Sequence, residues 1–173
     1  MTWTSYESPI GRLTLVAGPT GLREVHFPGR GPVLDPSDRD PDALSDVRRQ
    51  LAEYFAGERE TFELALDLAG SEFRRRVWRA LQELPYGQTT SYGELARLLD
   101  VRDSDAPAAQ KVGWAVGATP TPIIVPCHRV IGADGSLTGY GGGLQRKRAL
   151  LDFEVAGASR PGFWSHQGQL ALL

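Results

Sequence analysis

Cysteine is almost absent from this chain: among 173 residues, only Cys127 carries a thiol. That excludes an internal disulfide and a cysteine-rich zinc site. The three histidines, His26, His128 and His166, are scattered without ligand spacing, so no metal is expected. No apolar run approaches the roughly 20 residues of a membrane span, and the N-terminus lacks a signal-peptide pattern. The expectation is a cytoplasmic protein with no membrane partner, no metal and no other cofactor.

Net charge is also small, −2 in all, which on its face argues against a nucleic-acid partner. Its distribution argues otherwise. Residues 1–70 hold 7 basic and 12 acidic side chains, net −5; residues 71–150 hold 11 and 7, net +4; residues 151–173 are net −1. A basic second part suggests that it meets an anion, although solvated faces also produce such asymmetry.

The length suits one domain or two small ones. Thr2–Tyr6, Leu13–Ala17 and the segment Leu22, Val25, Phe27 read as strands. The turn signals Ser8-Pro9-Ile10-Gly11 and Gly18-Pro19-Thr20-Gly21 separate them. After a loop over 28–42, Leu44, Val47, Leu51, Tyr54 and Phe55 recur at helical spacing, and Phe62, Leu64, Leu66 and Leu68 alternate as in a half-buried strand. From residue 71 the texture becomes helical. Ser71 is a plausible N-cap for a helix with Phe73, Val77, Leu81 and Leu84 on one face, and Pro85-Tyr86-Gly87 stops it. Ser91 and Glu94 form a capping-box pattern opening a helix over Tyr92–Leu99, and a second follows at about Ala108–Ala118. Two short helices joined by a turn resemble a helix-turn-helix. Helical spacing resumes over Leu144–Glu154, and the tail, Val155–Leu173, reads as an extended arm packed on the surface.

Chemistry concentrates at Pro126-Cys127-His128-Arg129-Val130. The lone thiol follows the strand-like apolar run Ile123-Ile124-Val125, with an imidazole next to it, and is a candidate nucleophile. Free cysteine is equally at home as a small buried hydrophobe. Downstream, Gly139-Tyr140-Gly141-Gly142-Gly143 is a loop whose backbone can approach a ligand closely.

Together these segments resemble the 6-O-alkylguanine-DNA alkyltransferases over nearly the whole chain. The resemblance is carried by Ser8 to Leu13, Val77-Trp78, Leu84-Pro85-Tyr86-Gly87, Ser91-Tyr92-Gly93 and Pro126 to Ile131. Gly139 to Gly142, Lys147, Leu150-Leu151 and Glu154 follow at the family's spacing. It implies an α+β fold: an N-terminal antiparallel sheet with a helix, ribonuclease H-like, over 1–70, then a winged-helix-like, helical DNA-binding domain over 71–173. It implies a monomer that binds the minor groove of double-stranded DNA containing 6-O-alkylguanine, flips the base out and transfers the alkyl group irreversibly to Cys127. His128 would take the thiol proton through a water and Glu154 would orient His128. Tyr92 would push at the target phosphate, Tyr140 would help bind the flipped base, and Leu137 would line the apolar side. Gly141 and Lys147 complete the expected substrate contacts.

The chain departs from the family on its second helix. Gln110, with Lys111 beside it, stands where an arginine usually fills the space of the flipped base, and Thr119 stands where asparagine is common. Gln110, Gly113, Trp114 and Gly117 share a helix face. Trp114 there is either core packing on a rotated helix or a DNA-facing wedge. Phosphate contacts are then expected from Arg97, Arg102, Arg129 and the Arg74-Arg75-Arg76 cluster, part of which is as well explained by a solvated helix face. Competing readings are a lesion sensor that binds without repairing, which Cys127 argues against, and a cysteine hydrolase, which leaves the helix pair and glycine loop unexplained.

Overall fold

The computed structural model describes residues 1–156 and 162–166. The chain divides into two compact units, Met1–Ala69 with the tail from Ala156, and Gly70–Val155. The sequence boundary near residue 70 had left the tail with the second domain. No helix among the described residues is long and apolar enough to cross a membrane.

In the first unit, β1 (Trp3–Ser8), β2 (Gly11–Gly18) and β3 (Gly21–His26) form an antiparallel meander. Tyr6 faces Leu13 and Leu15 faces Val25 in register. Alternation drives the burial: Leu13, Leu15, Leu22 and Val25 are all within the core. At the first turn the Ser8 hydroxyl donates to the Gly11 carbonyl and accepts from the Ile10 N–H. Helix α1 (Ser45–Phe55) packs Val47, Leu51, Tyr54 and Phe55 inward, as its spacing requires.

The strand expected over Phe62–Leu68 is reduced to one bridge, Leu22 with Leu66. The alternation is real, but the backbone finds other partners. The buried Gln50 amide donates to the Glu63 carbonyl and accepts its N–H, taking the place of a strand neighbour. Leu22 donates to Ala65 O at 2.9 Å and accepts from Asp67 N–H at 2.8 Å. This approach needs glycine next door, since a Cβ on Gly21 would lie 2.2 Å from the Ala65 oxygen.

Part of the expected arm, 157–161 and 167–173, lies outside the described residues. Phe163–His166 is a short 3-10 turn, not an extended arm. Trp164 packs edge-on against Phe55 and donates its indole N–H to the Phe55 carbonyl at 3.1 Å.

The second unit contains α2 (Glu72–Gln82), β4 (Thr90–Ser91), α3 (Tyr92–Leu98), α4 (Ala108–Gly117), β5 (Val130–Ile131) and α5 (Leu144–Ala156). Ser71 caps α2 by accepting from Arg74 N–H. Ser91 caps α3 by accepting from Glu94 N–H, but the Glu94 carboxylate accepts from the Thr90 hydroxyl instead of completing a capping box. β4 and β5 pair in parallel, tying the start of α3 to the chain just past Cys127. Trp78 of α2, 1 % exposed, donates its indole N–H to the Ala115 carbonyl of α4 at 2.8 Å. Replacing Trp78 with alanine empties that contact, and we expect a loss of about 3–5 kcal/mol, read from chemical denaturation of the full chain.

Candidate active site

Cys127 reaches its position by an irregular path. The expected strand 123–125 is a tight turn: Val125 N–H donates to Thr121 O at 2.9 Å and Pro122 bridges to Val125. Pro120 and Pro122 bring no N–H to a ladder, which is why an apolar run forms no strand here. Ile123 takes φ 74°, a conformation costing a β-branched residue on the order of 1–3 kcal/mol. Burial supports the strain, for every residue from Thr121 to Val130 is buried. Cys127 then opens a 3-10 turn, Cys127–Arg129, and at three residues per turn its side chain and that of His128 diverge.

Behind the turn lies a buried ionic cluster. His128 Nε2 lies 2.7 Å from Glu154 Oε2. Arg129 grips the same carboxylate with Nε on Oε1 at 2.8 Å and Nη2 on Oε2 at 2.9 Å, and its Nη1 donates to Leu84 O. Gly87 N–H adds a fourth donor to Glu154 at 3.3 Å. Gly87 has φ 76°, and a Cβ there would stand 3.3 Å from the Glu154 carbonyl, so the stop after α2 also admits α5. Burial alone would raise the Glu154 carboxyl, but His128 and Arg129 outweigh it and hold the group well below the usual carboxylate range. An ionised Glu154 only accepts, so His128 Nε2 carries a proton, and in a neutral imidazole Nδ1 is then the acceptor. Nδ1 is buried without a hydrogen-bond partner among the described residues.

The Cys127 thiol is 7 % exposed. Burial pushes it up to about 11, against the pull of the Thr119 hydroxyl, the Lys147 charge and the N–H groups of Cys127 and His128. At neutral pH the sulfur is protonated and needs a base.

A cavity of about 530 Å³ opens onto this sulfur. Tyr92, Gln110, Gly113 and Trp114 border it on the helix side; Tyr140 and Gly141 border it on the glycine-loop side. The Tyr92 hydroxyl accepts from the Thr138 hydroxyl at 2.9 Å. Burial, then the charges of Cys127 and Glu154, raise the Tyr140 phenol well above its ordinary value, so it stays a donor. Trp114 is 59 % exposed, which overturns the rotated-helix alternative: α4 buries Val112, Ala115 and Val116 instead.

Four expected ligand contacts are not made by the folded chain. Leu137 is half-buried and outside the cavity lining. Lys147 is fully buried behind the loop, donating to Val130 O at 2.7 Å and Gly139 O at 3.4 Å, so it shapes the site from outside. Lys111 donates to Ser104 Oγ at 2.7 Å and does not line the cavity, which leaves Gln110 as the residue at the rim. Arg129 is 5 % exposed and committed to Glu154, so it does not face phosphate. A cation that fastens a buried carboxylate looks in sequence like one that meets DNA.

Sequence reasoning also missed residues. Arg146, 1 % exposed, donates to Gly142 O at 3.0 Å and with Lys147 braces the loop. Its place on the inner face of α5 is the only signal. Thr119, a departure from the family pattern expected to alter hydrogen bonding near the active site, lines the cavity and hydrogen-bonds the Cys127 thiol.

Two outcomes follow from these charges. Because the Glu154 carboxyl is depressed on folding, its stabilisation is present above its unfolded value, about 4.3, and fades as pH falls below it. Denaturation between pH 6 and pH 3 should show this loss, and Glu154→Gln should lack that component while costing about 3–5 kcal/mol at pH 7 by leaving Arg129 buried and unpaired. Iodoacetamide should label Cys127 slowly at pH 7–8, with a rate that climbs toward pH 11. Thr119→Val should shift the climb to higher pH, as read by intact mass.

Comparison with known proteins agrees with this geometry. Residues 1–68 match the family model of the 6-O-methylguanine DNA methyltransferase ribonuclease-like domain, and residues 72–156 that family's DNA binding domain. The methylated-DNA–protein-cysteine methyltransferase of Mycolicibacterium paratuberculosis is 48 % identical over 156 residues, covering 88 % of this chain and 91 % of the relative. That of Methanosarcina acetivorans is 42 % identical, covering 89 % and 98 %. The crystal structure of Mycobacterium tuberculosis OGT in complex with DNA superposes with a TM-score of 0.80 at 47 % identity, covering 90 % of this chain and 94 % of that one. An α+β fold, a buried cysteine lining a cavity and these matches agree: the chain belongs to the 6-O-methylguanine DNA methyltransferase family.

Proposed function

We propose that this protein repairs DNA by accepting the alkyl group of 6-O-alkylguanine onto Cys127. The observation that carries the reading is the Cys127 side chain lining the cavity, with the hydrogen-bonded His128–Glu154 pair next to it in the chain's fold. Sulfur attacks the alkyl carbon, a C–S bond forms, and the O–C bond breaks with its electron pair passing to the guanine. The thiol proton goes to His128 Nδ1 through one water, and Glu154 stabilises the resulting imidazolium. The guanine anion takes one proton from solvent in place of the lost alkyl group, and the restored nucleotide leaves the site. The thioether is stable, so each molecule acts once.

A base inside the stack cannot reach this sulfur, so the nucleotide is extruded. Tyr92, at the cavity border where α3 begins, presses on the target phosphate. Tyr140, with Gly141 beside it, holds the extruded base. Gln110 and Gly113 meet the duplex through its minor groove, and Gln110 bonds to the base left opposite. Phosphate contacts fall to exposed cations of the second unit, Arg74, Arg75, Arg97 and Arg102. Arg76 is engaged with the Leu99 carbonyl. The protein works as a monomer in the cytoplasm, where reducing conditions keep Cys127 a thiol. The lesion-sensor reading loses ground because Cys127 lines the cavity, where a sensor has no use for a thiol.

Incubation with duplex DNA carrying 6-O-methylguanine, followed by intact mass, tests the reading. One methyl gained per molecule, absent in Cys127→Ser, is expected; binding without mass gain would overturn it. Glu154→Gln should slow the transfer by at least tenfold, through a misoriented imidazole. Duplex affinity should fall steeply between 50 mM and 200 mM salt, and a flat response in a filter-binding titration would remove the phosphate contacts.

A further inference from the structure

Helix α4 has two unlike faces. It buries Val112, Ala115 and Val116, the last also reaching the cavity, while Gln110, Gly113, Trp114 and Gly117 line that cavity from the other face. None of these four residues carries charge, so this face brings no ion pair to a phosphate. It offers one neutral amide and one large aromatic ring. Trp114 is the largest of the exposed hydrophobic side chains, and the glycines at 113 and 117 give its ring no side-chain cover from those positions. A Cβ at Gly117 would meet nothing within 4 Å, whereas one at Gly113 would meet the Tyr92 ring at 3.6 Å, so the face is open at its Gly117 end.

An indole left in water costs free energy that only a partner recovers. The occupant is set by continuity, because Trp114 and Cys127 line the same cavity. What enters that cavity is a base, under the reading proposed above. What stays at its mouth is the stack the base has left, whose freshly exposed face is flat, apolar and aromatic. We propose that Trp114 is a specificity-determining residue that stacks against the base pair bared when the target nucleotide leaves the duplex. It thereby favours lesions in duplex DNA over the free nucleobase. The role rests on the alkyl-acceptor reading, and it assigns the opening of the duplex to an aromatic wedge in place of a charged side chain.

The test compares wild type, Trp114→Ala and Trp114→Phe on two substrates, duplex DNA with 6-O-methylguanine and free 6-O-benzylguanine, with transfer to Cys127 followed by intact mass. Loss of stacking on one base should slow Trp114→Ala on limiting duplex by about five- to a hundredfold. Transfer from the free base should stay within about twofold of wild type, and Trp114→Phe should recover most of the duplex rate. Equal losses on both substrates would make Trp114 a wall of the cavity and overturn the proposal. So would an unchanged duplex rate in Trp114→Ala. If wild type gains no mass from either substrate, the alkyl-acceptor reading itself fails; if wild type reacts and the variants match it, only the wedge fails.

Discussion

A single buried carboxylate organises the second unit. Glu154 receives the His128 imidazole, Nε and Nη2 of the Arg129 guanidinium and the Gly87 N–H. Those donors come from the turn after Pro126 and from the loop that ends α2, so one side chain pins two separate stretches of chain to α5. Ion pairs this deep are costly to desolvate, and they persist only when every lone pair is answered. Here the saturation also fixes chemistry. With Glu154 ionised, His128 can present only Nδ1 as an acceptor, and its orientation no longer depends on anything that enters the site.

Around that hub, buried cations act on the backbone. Arg146 and Lys147 spend their hydrogen bonds on carbonyls of the glycine loop and of β5. The loop itself has few side chains with which to pack, so the shape of the cavity wall is set from behind. The opposite wall is a helix face built from small residues and one indole. A rigid loop facing a smooth helix leaves an opening suited to a flat molecule.

Much of this was legible in the sequence. Alternation located the meander, and caps at Ser71 and Ser91 located two helices, because those signals act within a few residues. Cys127 with His128 beside it was legible as a candidate nucleophile from the residues themselves, but the pairing with Glu154 came only through the family pattern, since a separation of 26 residues between His128 and Glu154 says nothing about contact. The apolar run before Cys127 misled, because composition suggests a strand while Pro120 and Pro122 deny it a ladder. Arg129, Lys147 and Lys111 misled for a shared reason. Whether a cation meets DNA, a carboxylate or a carbonyl depends on burial, and a charge count along the chain carries no burial. Trp114 stayed open because four glycine, glutamine and tryptophan positions mark a face of α4 without saying which way it turns.

The burial that holds the Cys127 thiol near 11 has a bearing on storage. A reagent used once, as the proposed reaction requires, is wasted whenever a stray oxidant or electrophile finds its sulfur first. Thiolate would invite both. A neutral thiol, sheltered until a fitted base brings its alkyl carbon into line, keeps its reactivity latent between encounters. The slow nucleophile is thus the durable one, and selectivity begins before any lesion is bound.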